Sequence, residues 1–313
     1  GSSLAFAGQM FGIDIEVFMV KISFDQKPYR KLMMQSFGAK CNPSPSTLTD
    51  FGKKLLEENP NNPGSLGIAI SDAIEMVVKS GGKAKYSLGS VLGHVLMHQT
   101  INGNEAILQM EQAGDYPDII VGCTGGGSNL SGLMFPFLGQ QLRGGKKIDI
   151  IGCEPLSCPS FTKGKYAYDH GDMAKMTPLI KMHTLGSDFL PPANHSGGLR
   201  YHGMSYHLSH LYDLGLIRAK AYGQKECFEA GVNFGNQEGI IPAPEATHAV
   251  KGAIDAALEC KEKGESKTIL FNLCGHGHFD MSAYDDYFSG RLADDVFEED
   301  SVKKAIANLP QVA

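Results

Sequence analysis

The run Ile119-Ile120-Val121-Gly122-Cys123-Thr124-Gly125-Gly126-Gly127-Ser128-Asn129 decides the fold. Its apolar first half reads as a buried strand, the glycine triplet as a turn, and Leu130 to Leu138 as the helix that follows. Without side chains in the way, backbone N–H groups in such a turn can close on a phosphate, and the helix N-terminus adds its positive dipole end and the Ser128 hydroxyl. A cofactor or a nucleotide would carry that phosphate. The Walker pattern is absent, because no Lys-Ser/Thr pair follows the glycines, and G-x-G-x-x-G with an acidic residue about 20 positions later is not met cleanly. On these residues alone, a phosphate cradle and an ordinary βα turn both stand.

Outward from this run, strand and helix patterns alternate, which predicts an α/β fold. Ser3 to Phe11 reads as a helix stopped by Gly12, and Glu16 to Val20 as a buried strand. Pro28 to Ser36 reads as a helix, Lys40-Cys41-Asn42 as a short extended piece, and Leu48 to Glu57 and Leu66 to Lys79 as two further helices. Tyr86 to Val91 leads into a long helix over Leu96 to Gln112. Beyond the glycine turn come a strand over Ile148 to Pro155 and a loop-rich stretch from Ser157 to Tyr206. Loops of that length in a compact domain are usually functional. The last third reads as helices over Ala221 to Phe234 and Ala246 to Lys263, a strand over Thr268 to Leu273, and a solvated acidic run from Asp294 to Asp300.

Composition sets the function classes. With 313 residues, 42% hydrophobic and 20% charged, the chain has enough apolar side chains for one large or two medium domains. A net charge of -6, with no long Lys/Arg cluster, excludes a basic field for nucleic acid. Apolar stretches are too short for a membrane span, and Gly1 to Val20 carries Asp14 and Glu16 and no basic start, so it does not read as a signal peptide. Seven scattered cysteines without C-x-x-C point to reduced thiols in a cytoplasmic protein. His94/His98 and His276/His278 lack the further ligands of a zinc site, so no metal site is expected.

Three clusters add to the glycine turn. Glu238 to Ala249 places Glu245 at a helix start, just after Pro242-Ala243-Pro244, either to meet a ligand or to favour the helix dipole. The strand through Leu273 delivers Cys274 to its carboxyl end, where α/β sheets place ligands. Gly197-Gly198-Leu199-Arg200-Tyr201-His202-Gly203 has glycine hinges around a cationic and aromatic centre, a candidate substrate loop or lid.

Taken in order, Gly-Gly-Gly-Ser-Asn, Glu-Gly-Ile-Ile-Pro-Ala-x-Glu and Asn-Leu-x-Gly resemble the tryptophan synthase β-chain family, fold-type II enzymes that use pyridoxal phosphate. Lys27-Pro28-Tyr29-Arg30, Gly64 to Ser71, Tyr86 to Val91, Gly198 to Gly203 and Gly275 to Asp280 resemble its divergent second subgroup, and the likeness runs from Gly1 to about Tyr284. It implies two three-layer open-sheet domains with the cofactor cleft between them, the N-terminal part incomplete. Residues 1–85 would be the remainder of the N-terminal domain, a mobile communication subdomain, 86–290 the phosphate-binding domain and 291–313 a tail.

Carried over by residue, the resemblance implies that Gly125, Gly126, Gly127, Ser128 and Asn129 hold the cofactor phosphate, that Glu245 lies near the pyridine ring and that Cys274 faces its nitrogen. In the family that last place is usually serine, and cysteine keeps the partner neutral. Arg200, Tyr201 and His202 would form the substrate loop, with Arg200 near where other β-chains have an acidic residue. The substrates would be L-serine and indole, the assembly a homodimer with an α chain as a further partner, and a monovalent cation a second cofactor. The family's Schiff-base lysine and acid/base glutamate precede the position matching Gly1. The expectation is therefore a chain without catalytic residues of its own, inactive alone, with Lys251 and Lys267 solvated. A non-catalytic scaffold or split-chain partner, and a serine dehydratase-like enzyme, are the alternative readings.

Overall fold

The computed structural model describes residues 1–294 and 296–312, so Asp295, within the acidic run, and Ala313 lie outside the described residues. The first elements are α1 (Ser2–Phe11), β1 (Glu16–Val20), α2 (Lys21–Gln26), α3 (Pro28–Ser36), β2 (Lys40–Ser44), α4 (Asp50–Glu58) and α5 (Leu66–Lys79). β1 and β2 pair in parallel, Glu16 opposite Lys40, and Ala5, Met34 and Ala39 pack under them. Their ends follow local chemistry: Gly12 stops α1 at φ 65, and the Thr49 and Ser65 side chains accept from Gly52 and Ile68 N–H to start α4 and α5.

The second group opens with α6 (Gly93–Ala113), β3 (Ile119–Cys123), α7 (Ser128–Leu142) and β4 (Asp149–Pro155). It continues with α8 (Ser160–Lys163), β5 (Lys165–His170), β6 (Leu179–Thr184), α9 (Tyr206–Asp213), β7 (Arg218–Tyr222) and α10 (Gln224–Glu238). It closes with α11 (Pro244–Lys263), β8 (Ile269–Phe271), α12 (Met281–Phe288) and α13 (Glu299–Ala307). Four strands form a parallel sheet in the order β7-β4-β3-β8. Alternate residues serve opposite faces: Ile120 and Ile150 pack on Leu130, Leu133 and Phe137 of α7, while Ile119, Val121, Ile151 and Cys153 pack on Cys227, Ala256 and Cys260 of α10 and α11. This is the α/β arrangement that the alternation predicts, with helices on both faces of the sheet as the resemblance implies. No helix among the described residues is long and apolar enough to cross a membrane.

Besides the helices α2, α9 and α12, which the sequence reading did not assign, three segments near the sheet and its cover differ from it. Arg218 to Tyr222 is a strand, and the helix read from Ala221 begins only at Gln224. Charge hid this edge strand: Arg218 pairs with Asp149 at 2.7 Å, and Lys220 pairs with Glu259. The stretch from Ser157 to Tyr206 holds an antiparallel hairpin, β5 with β6, tied at its turn by the buried Asp172, which accepts from Ser71 Oγ at 2.8 Å and Thr177 N at 2.9 Å. The acidic run leads into α13, whose Val302 and Ala305 bury against Cys158, Leu185 and Phe189.

α6 crosses α7 at glycines. A Cβ on Gly103 would lie 2.4 Å from the Leu133 carbonyl oxygen, and one on Gly132 2.7 Å from Gln99 Cβ. Because the obstacle at Gly103 is backbone, Gly103→Ala should lose about 1–3 kcal/mol of stability by overpacking. An unchanged urea midpoint would show that the helices part freely.

Candidate active site

The carboxyl ends of β3 and β8 open into a cavity of about 610 Å³. Gly125, Gly126, Gly127, Ser128, Asn129, Glu245 and Cys274 all line it. The loop is pinned at its root, since Thr124 donates to the Cys153 carbonyl through its N–H at 2.7 Å and its hydroxyl at 3.3 Å. Each glycine is closely packed, Gly125 against backbone and Gly126 and Gly127 against side chains. A Cβ would meet the Gly198 oxygen at 2.4 Å from Gly125, Ser90 Oγ at 2.3 Å from Gly126 and Leu208 Cδ1 at 2.2 Å from Gly127, which also has φ +98. Gly127 is the N-cap of α7 and brings no side-chain acceptor, so the helix's first N–H groups face the cavity uncapped. That is a socket for an anion such as a phosphate.

Asn129 braces the socket with its side chain. Its amide donates to the Cys123 carbonyl at 3.2 Å and accepts from Asn272 Nδ2 at 2.7 Å, tying the loop to the residue after β8. Its backbone N–H, in the first turn of α7, is the group left for a ligand.

Glu245 sits in the first turn of α11, after Pro244. Its Oε1 accepts from Gly198 N at 3.0 Å and meets Lys27 Nζ at 3.4 Å. Lys27 lies 2.8 Å from Asp280 Oδ1, and Arg30 reaches Asp280 Oδ2 at 3.0 Å. Burial works to raise the Glu245 carboxyl, but the charges of Lys27 and Arg30 and the Gly198 N–H together bring it below its ordinary range. The carboxylate is ionised beside the cavity.

Cys274 follows β8 by three residues and is exposed. Its Sγ is 3.6 Å from that of Cys123, the buried last residue of β3. The hydrogen bond with Cys274 and then burial hold the Cys123 thiol protonated well above its usual range. The two sulfurs thus form one wall of the cavity.

Arg200, Tyr201 and His202 are not brought to it. Arg200 donates to the Pro192 and Pro191 carbonyls, both at 2.7 Å; Tyr201 donates to the Gly171 carbonyl at 2.7 Å; and His202 Nε2 lies 2.9 Å from the His170 carbonyl. All three are at most 3% exposed. Burial raises the Tyr201 hydroxyl and lowers the His202 ring, so neither is tuned for proton transfer near neutrality. The short 3-10 turn Gly197–Leu199 presents Gly198 and Leu199 to the cavity instead, and the residues after it satisfy orphan carbonyls elsewhere. Lys27, Asp280, Asn272 and Cys123 are the site neighbours to which reading by motif assigned no role. Lys27 lies 218 residues before Glu245, beyond any local pattern.

Comparison with known proteins gives the family. The family described as "Pyridoxal-phosphate dependent enzyme" matches residues 1–275. The tryptophan synthase beta chain 2 of Aquifex aeolicus is 57% identical over 297 residues, covering 94% of this chain and 68% of the relative. That of Pyrococcus furiosus is 52% identical over 294 residues, covering 94% and 66%. The chain thus spans about two thirds of the length of these curated relatives. Among solved structures, a cysteine synthase from Entamoeba histolytica superposes with a TM-score of 0.61 at 17% identity, over 99% of this chain and 74% of that one. Isoform 3 of the O-acetyl serine sulfhydrylase from the same organism gives 0.60 at 16%, over 97% and 73%. These two speak for the fold, and the sequence relatives for more: the chain belongs to the pyridoxal-phosphate dependent enzyme family and, within it, to the tryptophan synthase β-chain 2 group.

Proposed function

We propose that this chain carries the phosphate-binding half of an enzyme that joins L-serine to indole, releasing water and giving L-tryptophan. The observation that carries the reading is the socket at Gly125 to Asn129: three glycines whose Cβ positions are already filled by neighbouring atoms, ahead of an uncapped helix N-terminus. Pyridoxal phosphate, when bound, withdraws electrons from the α-carbon of an attached amino acid, which lets the β-substituent leave. The backbone N–H groups of Gly125 to Asn129 would hold its phosphate. Cys274 would offer the ring nitrogen its sulfur, and Glu245, ionised through Lys27, would fix Gly198 at the cavity rim. Leu199 and the glycine loop would exclude water from that end.

A homodimer and docking of an α chain belong to the same proposal, supported by Met97, Ile101 and Leu108, three exposed apolar side chains at helical spacing on α6. Free cysteines throughout the described residues suit a cytoplasmic site.

Titration with pyridoxal phosphate followed by absorbance should show saturable binding, and serine and indole should be offered to the bound protein together with the segment that carries the family's Schiff-base lysine. The chain contains no tryptophan, so product tryptophan would be seen by fluorescence against a dark background. Absence of saturable binding would overturn the reading. Binding with pyruvate as product would favour a serine dehydratase-like enzyme.

A further inference from the structure

Two sulfurs in contact inside a ligand cavity are a chemical feature that binding a phosphate does not need. We propose that Cys123 and Cys274 are a reversible oxidation site, at which a peroxide converts the dithiol to an intramolecular disulfide and closes the cavity floor. Three observations carry this. The Sγ atoms are 3.6 Å apart, so a bond requires an approach of about 1.5 Å in total, shared by two side chains. Cys274 is exposed and lines the cavity, so a small oxidant reaches it, whereas Cys123 is buried behind it at the end of a central strand. Asn129 Nδ2 donates to Cys123 Sγ at 3.4 Å, fixing the position of the inner sulfur.

The order of events follows from this asymmetry. The thiolate is the reacting form, and the exposed Cys274 is where it is reachable. Its sulfur displaces hydroxide from hydrogen peroxide to give a sulfenic acid. Cys123 Sγ then displaces the sulfenic oxygen, forming the S–S bond, and that hydroxyl leaves as water with the Cys123 proton. Overall, two thiols and one peroxide give one disulfide and two waters. Excess thiol reverses it by exchange.

Movement would fall on the Cys274 side. Cys123 lies in the parallel sheet opposite Cys153, while Cys274 lies on a segment anchored beyond it by the Gly275 carbonyl accepting from Ala243 N at 2.8 Å and by Gly277 N donating to the Ile241 carbonyl at 2.7 Å. The disulfide would remove the thiol from the ring-nitrogen position. This last consequence rests on the proposed function, and the bond itself does not.

The test treats the cofactor-free protein with a slight excess of hydrogen peroxide, blocks remaining thiols, and reads intact mass and linked peptides. Loss of two hydrogens, a Cys123–Cys274 peptide and recovery with dithiothreitol are expected, and Cys274→Ser should show none of them while melting as the parent does. Pyridoxal phosphate at ten times its Kd should slow the reaction about tenfold by mass action. A Cys123–Cys153 link, or oxidation of Cys274 to the sulfinic acid without loss of two hydrogens, would overturn the proposal. If the link forms but pyridoxal phosphate neither slows it nor is lost from it, the oxidation site stands and its placement at the cofactor ring fails.

Discussion

Gly125→Ala is expected to weaken pyridoxal phosphate binding about 100-fold, the size of losing roughly 3 kcal/mol of charge-assisted hydrogen bonding. The added Cβ would lie 2.4 Å from the Gly198 oxygen and 3.0 Å from Leu199 Cα, both backbone, so no rotamer relieves the contact. Either the glycine loop or the Gly197–Leu199 turn must move. Moving the loop turns its N–H groups away from the phosphate; moving the turn breaks the Gly198 N–H bond to Glu245 at 3.0 Å. Absorbance titration of wild type and variant gives the ratio directly. Equal affinity, with the melting temperature unchanged, would mean that the phosphate is held elsewhere.

The parts of this site legible in sequence are those carried by adjacent residues. Ile119 to Asn129 reads correctly because strand, turn and helix start are consecutive and each has its own signal: apolar continuity, a glycine triplet and a helical stretch directly after it. Glu245 reads as a helix-start carboxylate for the same reason, with Pro244 marking the first turn. Arg200, Tyr201 and His202 misled because residue type announces chemistry without direction. A guanidinium flanked by glycines suits a substrate loop, yet here it satisfies the carbonyls of Pro191 and Pro192, a demand set by the tertiary path of that segment. β7 was hidden likewise, since Arg218-Ala219-Lys220-Ala221-Tyr222 lacks the apolar continuity of a central strand and makes sense only at a sheet edge with Asp149 and Glu259 beside it. The sulfur pair lay beyond sequence altogether: Cys123 and Cys274 are 151 residues apart and meet only because β3 and β8 are neighbours.

The same long-range logic makes Lys27 the side chain whose loss should be felt most. It is 4% exposed and stands between Glu245, at 3.4 Å, and Asp280, at 2.8 Å, joining the α2–α3 junction to the start of α11 and the residue before α12. Lys27→Met keeps most of the volume and removes the charge, leaving Glu245 without its principal cation. Breaking a buried pair in this way costs about 3–5 kcal/mol, well above the loss expected from an apolar truncation of similar size at a surface. The pH dependence separates charge from packing. The Glu245 carboxyl is held below its ordinary value of 4.5, so its stabilising contribution is present above that value and is lost as pH falls through the lowered one. Without Lys27, the largest charge opposing burial is gone and the carboxyl rises, so the deficit should be greatest at neutral pH and shrink as the solution is acidified to 4.5 and below. Lys27→Met/Glu245→Gln should recover part of the neutral-pH loss, because an amide tolerates burial that a carboxylate does not. Urea unfolding at neutral and acid pH measures all of this. A deficit equal at both, with no recovery in the double variant, would make Lys27 a packing residue and remove the electrostatic account of how Glu245 is kept ionised.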